Sequence, residues 1–171
     1  MDTLVNEYLY ETRKDLLKEI TLLSDVQFNS KPDLNKWSIA QVCHHLFLVE
    51  TSTTKAIAWG LKEINSTPKE RKNVHLILLD RTTKIKAPKI VEPAVEPFEV
   101  QQMVDLLNDS REKLMTFLNT IADHSILAEK SVMHPALGDL PLDQWIEQIY
   151  VHEQRHIEQI KEIKLLLDVK D

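Results

Sequence analysis

Residues 142–160 read LDQWIEQIYVHEQRHIEQI, and this stretch decides the fold. Its apolar residues recur at helical spacing. On a helix turning about 100° per residue, with His152 at zero, Trp145 falls at about 20°, His156 at about 40°, Ile149 at about 60°, Ile160 at about 80° and Ile163 at about 20°. Two imidazoles four residues apart thus stand one above the other on the face that carries the apolar stripe. That face turns to a core. An imidazole is costly to bury without a hydrogen bond or a metal, so the rest of the chain has to supply partners.

The chain supplies three more long helices. The first runs from about Thr3 to Ser24, with Leu9, Leu16, Leu17, Ile20 and Leu23 as its stripe and Arg13, Lys14 and Glu19 among the polar positions. Phe28–Lys36 reads as a loop, broken by Pro32 and two asparagines. Ser38 then opens the second helix, and Gln41 three residues on completes a capping box. This helix continues to about Leu61, with Val42, Leu46, Val49 and Thr53 facing inward. Relative to Val42, His45 lies at about -60°, at the edge of that stripe, and His44 at about 200°, on the back where water is expected. The third helix spans about Glu99 to Ile121, and the fourth begins at Leu142 and runs to about Leu167.

Two long links join them. Ile64–Pro97 holds four prolines and many basic residues, Lys84 included, with a short helix expected around Asn73–Arg81 and extended chain from Ala87-Pro88 to Glu96-Pro97. It is too long for a tight turn, so the helices it joins need not be antiparallel. His124–Pro141 is a second irregular link, and its histidines, with His75, have no partner that spacing identifies. The pattern predicts an all-α fold, a four-helix bundle with long crossover connections, in a single domain over residues 1–171.

Composition agrees and narrows the function. Two glycines in 171 residues are too few for a sheet rich in tight turns. A net charge of -6 argues against nucleic acid as the partner, and no apolar run is long enough to cross a membrane. The single cysteine, Cys43, rules out an internal disulfide and suits a reducing cytoplasm. At the flank of the stripe it reads as an inert buried thiol.

His152 and His156 from one helix and His45 from another make a set of three imidazoles that a divalent ion accepts, zinc or nickel first. Three histidines leave an open position, which is the catalytic arrangement for zinc. HEQRH also matches the H-E-x-x-H pattern of zinc proteases, in which Glu153 would be the general base. Those enzymes take a third ligand downstream, and fifteen residues remain after His156. Glu153 therefore stands as a weak candidate base, with a solvated helix position as its plainer role. Arg155, at about 300°, and Gln159, at about 340°, lie at the metal-side edge, where either can touch an anionic substrate or orient a ligand, Arg155 being the candidate for cofactor binding; a plain helix-surface role is the alternative for both. Trp37 and Trp145 read as packing residues.

Two segments carry a family resemblance. FNSKPDLNKWSIAQVCHHLFLVE, residues 28–50, resembles a P…WS…HL…E signature of the DinB/YfiT-like proteins, and MHPALGDLPLDQWIEQIYVHEQRHIEQI, residues 133–160, is similar to their closing motif. The resemblance implies a four-helix bundle with a crossed connection and a divalent metal on His45, His152 and His156. It implies a metal-dependent enzyme, either a transferase using a low-molecular-weight thiol such as bacillithiol or a hydrolase, acting on small electrophiles, in a cytoplasmic homodimer. A stress-associated bundle in which metal only stabilises the fold, and a metal-free helical interaction module, are the other readings.

Overall fold

A computed structural model of the chain describes residues 3–82 and 86–168; Lys84 lies outside them. Four long helices form the bundle: α1 (Thr3–Ile20), α3 (Ile39–Lys62), α5 (Val100–Asn119) and α7 (Leu142–Leu166). Three short helices, α2 (Asp25–Asn29), α4 (Val74–Leu79) and α6 (Ile126–Glu129), sit in the links, with a 3-10 turn at Lys89–Val91. A hairpin of β1 (Ser131–His134) and β2 (Gly138–Pro141) precedes α7, in antiparallel register with Val132 opposite Leu140.

The direction of each helix follows from two buried clusters. One holds Leu9 of α1, Ile57 of α3, Leu114 and Leu118 of α5, and Leu142, Trp145, Ile149 and Val151 of α7 among its members. The other holds Leu16 and Ile20, then Ile39 to Leu46, then Val100 to Leu107, then Ile157 to Ile163. So α1 and α7 run one way, and α3 and α5 run the other. The 63–99 link must carry the chain back along the length of the bundle, which is why it is long. Helices α3 and α5 are parallel neighbours, as a crossover permits.

Local chemistry sets the helix ends. The Ser38 hydroxyl accepts from Gln41 N while Gln41 Oε1 accepts from Ser38 N, the capping box expected at α3. A second capping box, Ser24 with Gln27, starts α2 inside a stretch expected to be the end of helix one and a loop. This short helix has a use. Asp25 Oδ1 accepts from Val100 N at 2.9 Å and so caps α5, whose own Glu99 makes no side-chain cap. Asn29 exchanges two hydrogen bonds with the backbone of Phe98.

Between the two apolar clusters lies a layer of charge. Arg13, Glu50, Arg111 and Glu153 come one from each long helix, and all four are buried. Arg13 donates from Nε to Glu153 and from Nη2 to Glu50, both at 2.8 Å. Arg111 donates from Nη2 to Glu153 at 2.9 Å and from Nε to Glu50. Their remaining nitrogens bond the carbonyls of Leu107 and Leu9, and the Ser110 hydroxyl bonds Glu50. Two cations and two anions cancel, which is the condition for burying any of them. Arg13, one of the polar positions of the first helix, is thus a core residue.

The hairpin is the other departure from expectation. Its strands are four residues each, too short for alternation to show, and β2 ends in Pro141. Gly138 turns the chain at φ 72°, a conformation that favours glycine. The expected extended stretch after Ala87 is interrupted by the 3-10 turn at Lys89–Val91, with Pro88 at its N-cap.

Candidate metal centre

α7 presents His152 and His156 on its inner face, and α3 brings His45 against them. The ring centroids are 4.4 Å apart for His152 and His156, 5.2 Å for His45 and His152, and 5.1 Å for His45 and His156. One nitrogen from each ring falls within 4.8 Å of the others. His45 and His156 are 5% and 7% exposed, so the convergence is a core feature and not a surface accident.

The outer nitrogens fix two of the three rings. His45 Nδ1 lies 2.7 Å from the Val91 carbonyl. A carbonyl only accepts, so that nitrogen carries the proton and Nε2 keeps its lone pair. His156 Nδ1 lies 2.8 Å from Gln159 Oε1, with the same consequence. His156 Nε2 faces His152 Nε2 at 3.1 Å. His152 Nδ1 is buried and has no hydrogen-bond partner among the described residues.

Burial holds all three rings neutral. It lowers His45, and it lowers His152 well below the ordinary value with His156 and His45 adding to the effect. His156 is pushed to about 3 by burial and by His45. Neutral imidazoles are the form that ligates a metal. Two nitrogens on a tetrahedral zinc stand about 3.3 Å apart, close to the 3.1 Å between His152 and His156. The donor set fits a divalent ion of the zinc or nickel kind. Among the described residues, no cysteine, carboxylate or fourth histidine joins the trio.

The other candidates fall elsewhere. Glu153 is neither a base beside the trio nor a solvated residue. It is 1% exposed, and its two oxygens are taken by Arg13 and Arg111. Burial alone would raise its carboxyl; the two guanidiniums outweigh that and hold it below its ordinary range. Arg155 donates from Nη1 to the Leu78 and Asp80 carbonyls, at 2.7 Å each, and so closes the end of α4. Its charge is felt by His152 and His156, but those hydrogen bonds tie it to the scaffold. His44, expected to face water, is half-buried instead. Its Nδ1 accepts from Ala94 N at 3.0 Å, and its ring packs on Phe98 with centroids 4.7 Å apart. Trp37 lies 5.1 Å from the ring of His45, so it packs on the site itself. Trp145 packs on His134 and donates to the Val132 carbonyl. His124 reaches the Leu118 carbonyl at 3.1 Å, and His75 lies 3.6 Å from Glu147. Cys43 is fully buried, and burial raises its thiol, as an inert residue requires.

A family model of the DinB superfamily matches residues 8–160. The chain belongs to the DinB superfamily. The uncharacterized protein YuaE of Bacillus subtilis (strain 168) is 33% identical over 154 residues, covering 90% of this chain and 93% of YuaE. Two solved structures share the fold of this DinB-superfamily chain. YfiT from Bacillus subtilis, described as a probable metal-dependent hydrolase with an unusual four-helix bundle topology, superposes with a TM-score of 0.66 at 17% identity, covering 99% of this chain and 91% of YfiT. TT2238, a four-helix bundle protein, gives 0.61 at 16% identity over 92% and 96% of the two chains. At these identities the likeness shows the bundle, and the chemistry has to be argued from this chain's own residues. Among the described residues, no helix is long and apolar enough to cross a membrane.

Proposed function

We propose that this member of the DinB superfamily is a divalent-metal-dependent enzyme that uses water or a low-molecular-weight thiol to attack a small electrophile, as a hydrolase or a thiol S-transferase. The observation that carries the reading is the meeting of His45, His152 and His156, with the outer nitrogens of two of them fixed by Val91 and Gln159. An ion held by these three residues supplies Lewis acidity and favours the deprotonated form of water or a thiol near neutral pH. The chain's own residues do the rest. Val91 and Gln159 orient the rings, and Trp37 covers one side of His45. Glu153 takes no part in proton transfer, because its oxygens are committed to the charge layer.

A purely structural metal site is closed by a fourth protein ligand. The trio lacks one among the described residues, which favours the catalytic reading over the stabilising one. The test is elemental analysis of protein purified without an affinity tag, compared with His152→Ala. The wild type is expected to hold about one zinc or nickel per chain, and the variant to lose it with its circular dichroism largely unchanged. Equal metal content in the two proteins would defeat the ligand assignment. Conjugation assays with bacillithiol and other thiols, beside ester and amide hydrolysis, then separate transfer from hydrolysis.

A further inference from the structure

The two adjacent histidines of α3 hold the same strap. The strap is residues 88–94, which cross α3 on the way to α5. His45 Nδ1 donates to the Val91 carbonyl at 2.7 Å. His44 Nδ1 accepts from Ala94 N at 3.0 Å. Gln41, one turn earlier, donates from Nε2 to the Ala94 carbonyl at 3.2 Å. Both polar groups of Ala94 are therefore bound by α3, three residues from the carbonyl that orients His45. The neighbouring imidazoles must also be opposite tautomers, protonated at Nδ1 in His45 and unprotonated at Nδ1 in His44.

The geometry points to His44 and Gln41 as positioning residues that keep the Val91 carbonyl on His45, and so set the tautomer and the aim of that ligand. Their action passes through the backbone of the strap, and neither belongs to the trio. The claim rests on the metal reading only where affinity is concerned; the tautomer of His45 is defined without any ion.

Three variants of the full chain test it. His44→Phe keeps a ring to pack on Phe98 and removes the acceptor. Gln41→Glu keeps the oxygen that accepts from Ser38 N and removes the donor to Ala94. His44→Asn restores an acceptor near the position of Nδ1 without the ring. Long-range proton–nitrogen correlation spectra of the metal-free protein report the tautomer of each imidazole, and chelator competition reports zinc affinity. Wild type and His44→Asn are expected to show His45 protonated at Nδ1. In His44→Phe and Gln41→Glu that signature becomes a mixture of tautomers, and zinc binds about tenfold more weakly, the low end for loss of an outer partner. An unaltered His45 signature with unaltered zinc affinity in both variants would overturn the proposal. Wild-type protein that binds no zinc sinks the metal reading instead, and the imidazole spectra still decide the role of the strap.

Discussion

Replacing Glu153 by glutamine removes one of four buried charges and leaves two arginines facing a single glutamate. The side chain of Glu153 is 2% exposed and accepts from Arg13 at 2.8 Å and from Arg111 at 2.9 Å. Glutamine can accept one of those bonds with its oxygen, but its amide nitrogen then meets a guanidinium donor. Breaking a buried pair from one side costs about 3–5 kcal/mol, since the other charge stays uncompensated. For a chain of this length each kcal/mol moves the melting temperature by about 2–4 °C, so Tm should fall by about 10 °C. Urea titration followed by circular dichroism gives the loss directly, as a lower midpoint at unchanged slope. The doubly substituted Glu153→Gln/Arg111→Met protein restores neutrality and should lose less than the two single variants summed. If Glu153 were instead a catalytic base, Glu153→Gln would keep its stability and lose only turnover. A stability loss under about 1 kcal/mol would refute the account of the charge layer.

Two further outcomes follow from packing and protonation. Gly60→Ala should destabilise the protein although alanine is the better helix former. The added Cβ would stand 2.5 Å from Val132 Cγ2 and 2.8 Å from Leu142 Cδ2. Overpacking of about 1–3 kcal/mol then exceeds the gain of about 1 kcal/mol in helix propensity; a midpoint in urea at or above the wild-type value contradicts this. The histidines give a pH dependence. Burial lowers His45, His152 and His156 in the folded metal-free protein, the last to about 3, whereas an unfolded imidazole titrates at about 6.5. Protons therefore favour the unfolded chain. Stability is full above about pH 6.5 and declines as pH falls towards the folded values, with the lowered Glu153 carboxyl adding to the loss below about pH 4.5. Urea midpoints of metal-free protein at pH 8, 6.5 and 5 check it, and equal midpoints at 6.5 and 5 would tell against neutral buried rings.

The parts of this molecule that are written in local spacing were readable. His152 and His156 share a helical face whatever they meet, and Ser38 with Gln41 announces a helix start without tertiary help. The inward edge position of His45 was enough to pair it with α7. What local spacing cannot carry is which side chain, 42 or 140 residues away, a buried charge will meet. Glu153 sits between two candidate ligands in sequence, and only the fold shows that its carboxylate turns to Arg13 and Arg111. The position of His44 on the back of α3 predicts water; the strap that half-buries it comes from another part of the chain. The hairpin at 131–141 has too few residues per strand to show a period, and α2 hides behind the end of α1. A Ser-x-x-Gln pair at Ser24 and Gln27, identical in kind to the one at Ser38, was the signal for α2.

The charge layer also bears on how the chain comes into being. Arg13, Glu50 and Arg111 are synthesised before residue 142, and on their own they sum to one excess positive charge. A nascent chain without α7 can bring α1, α3 and α5 together only by sequestering that charge from water. It would also leave His45 without its two companions. Translation order therefore postpones the closing of the interior until the fourth long helix arrives, and a prematurely released fragment would expose apolar surface for chaperones or proteases to recognise.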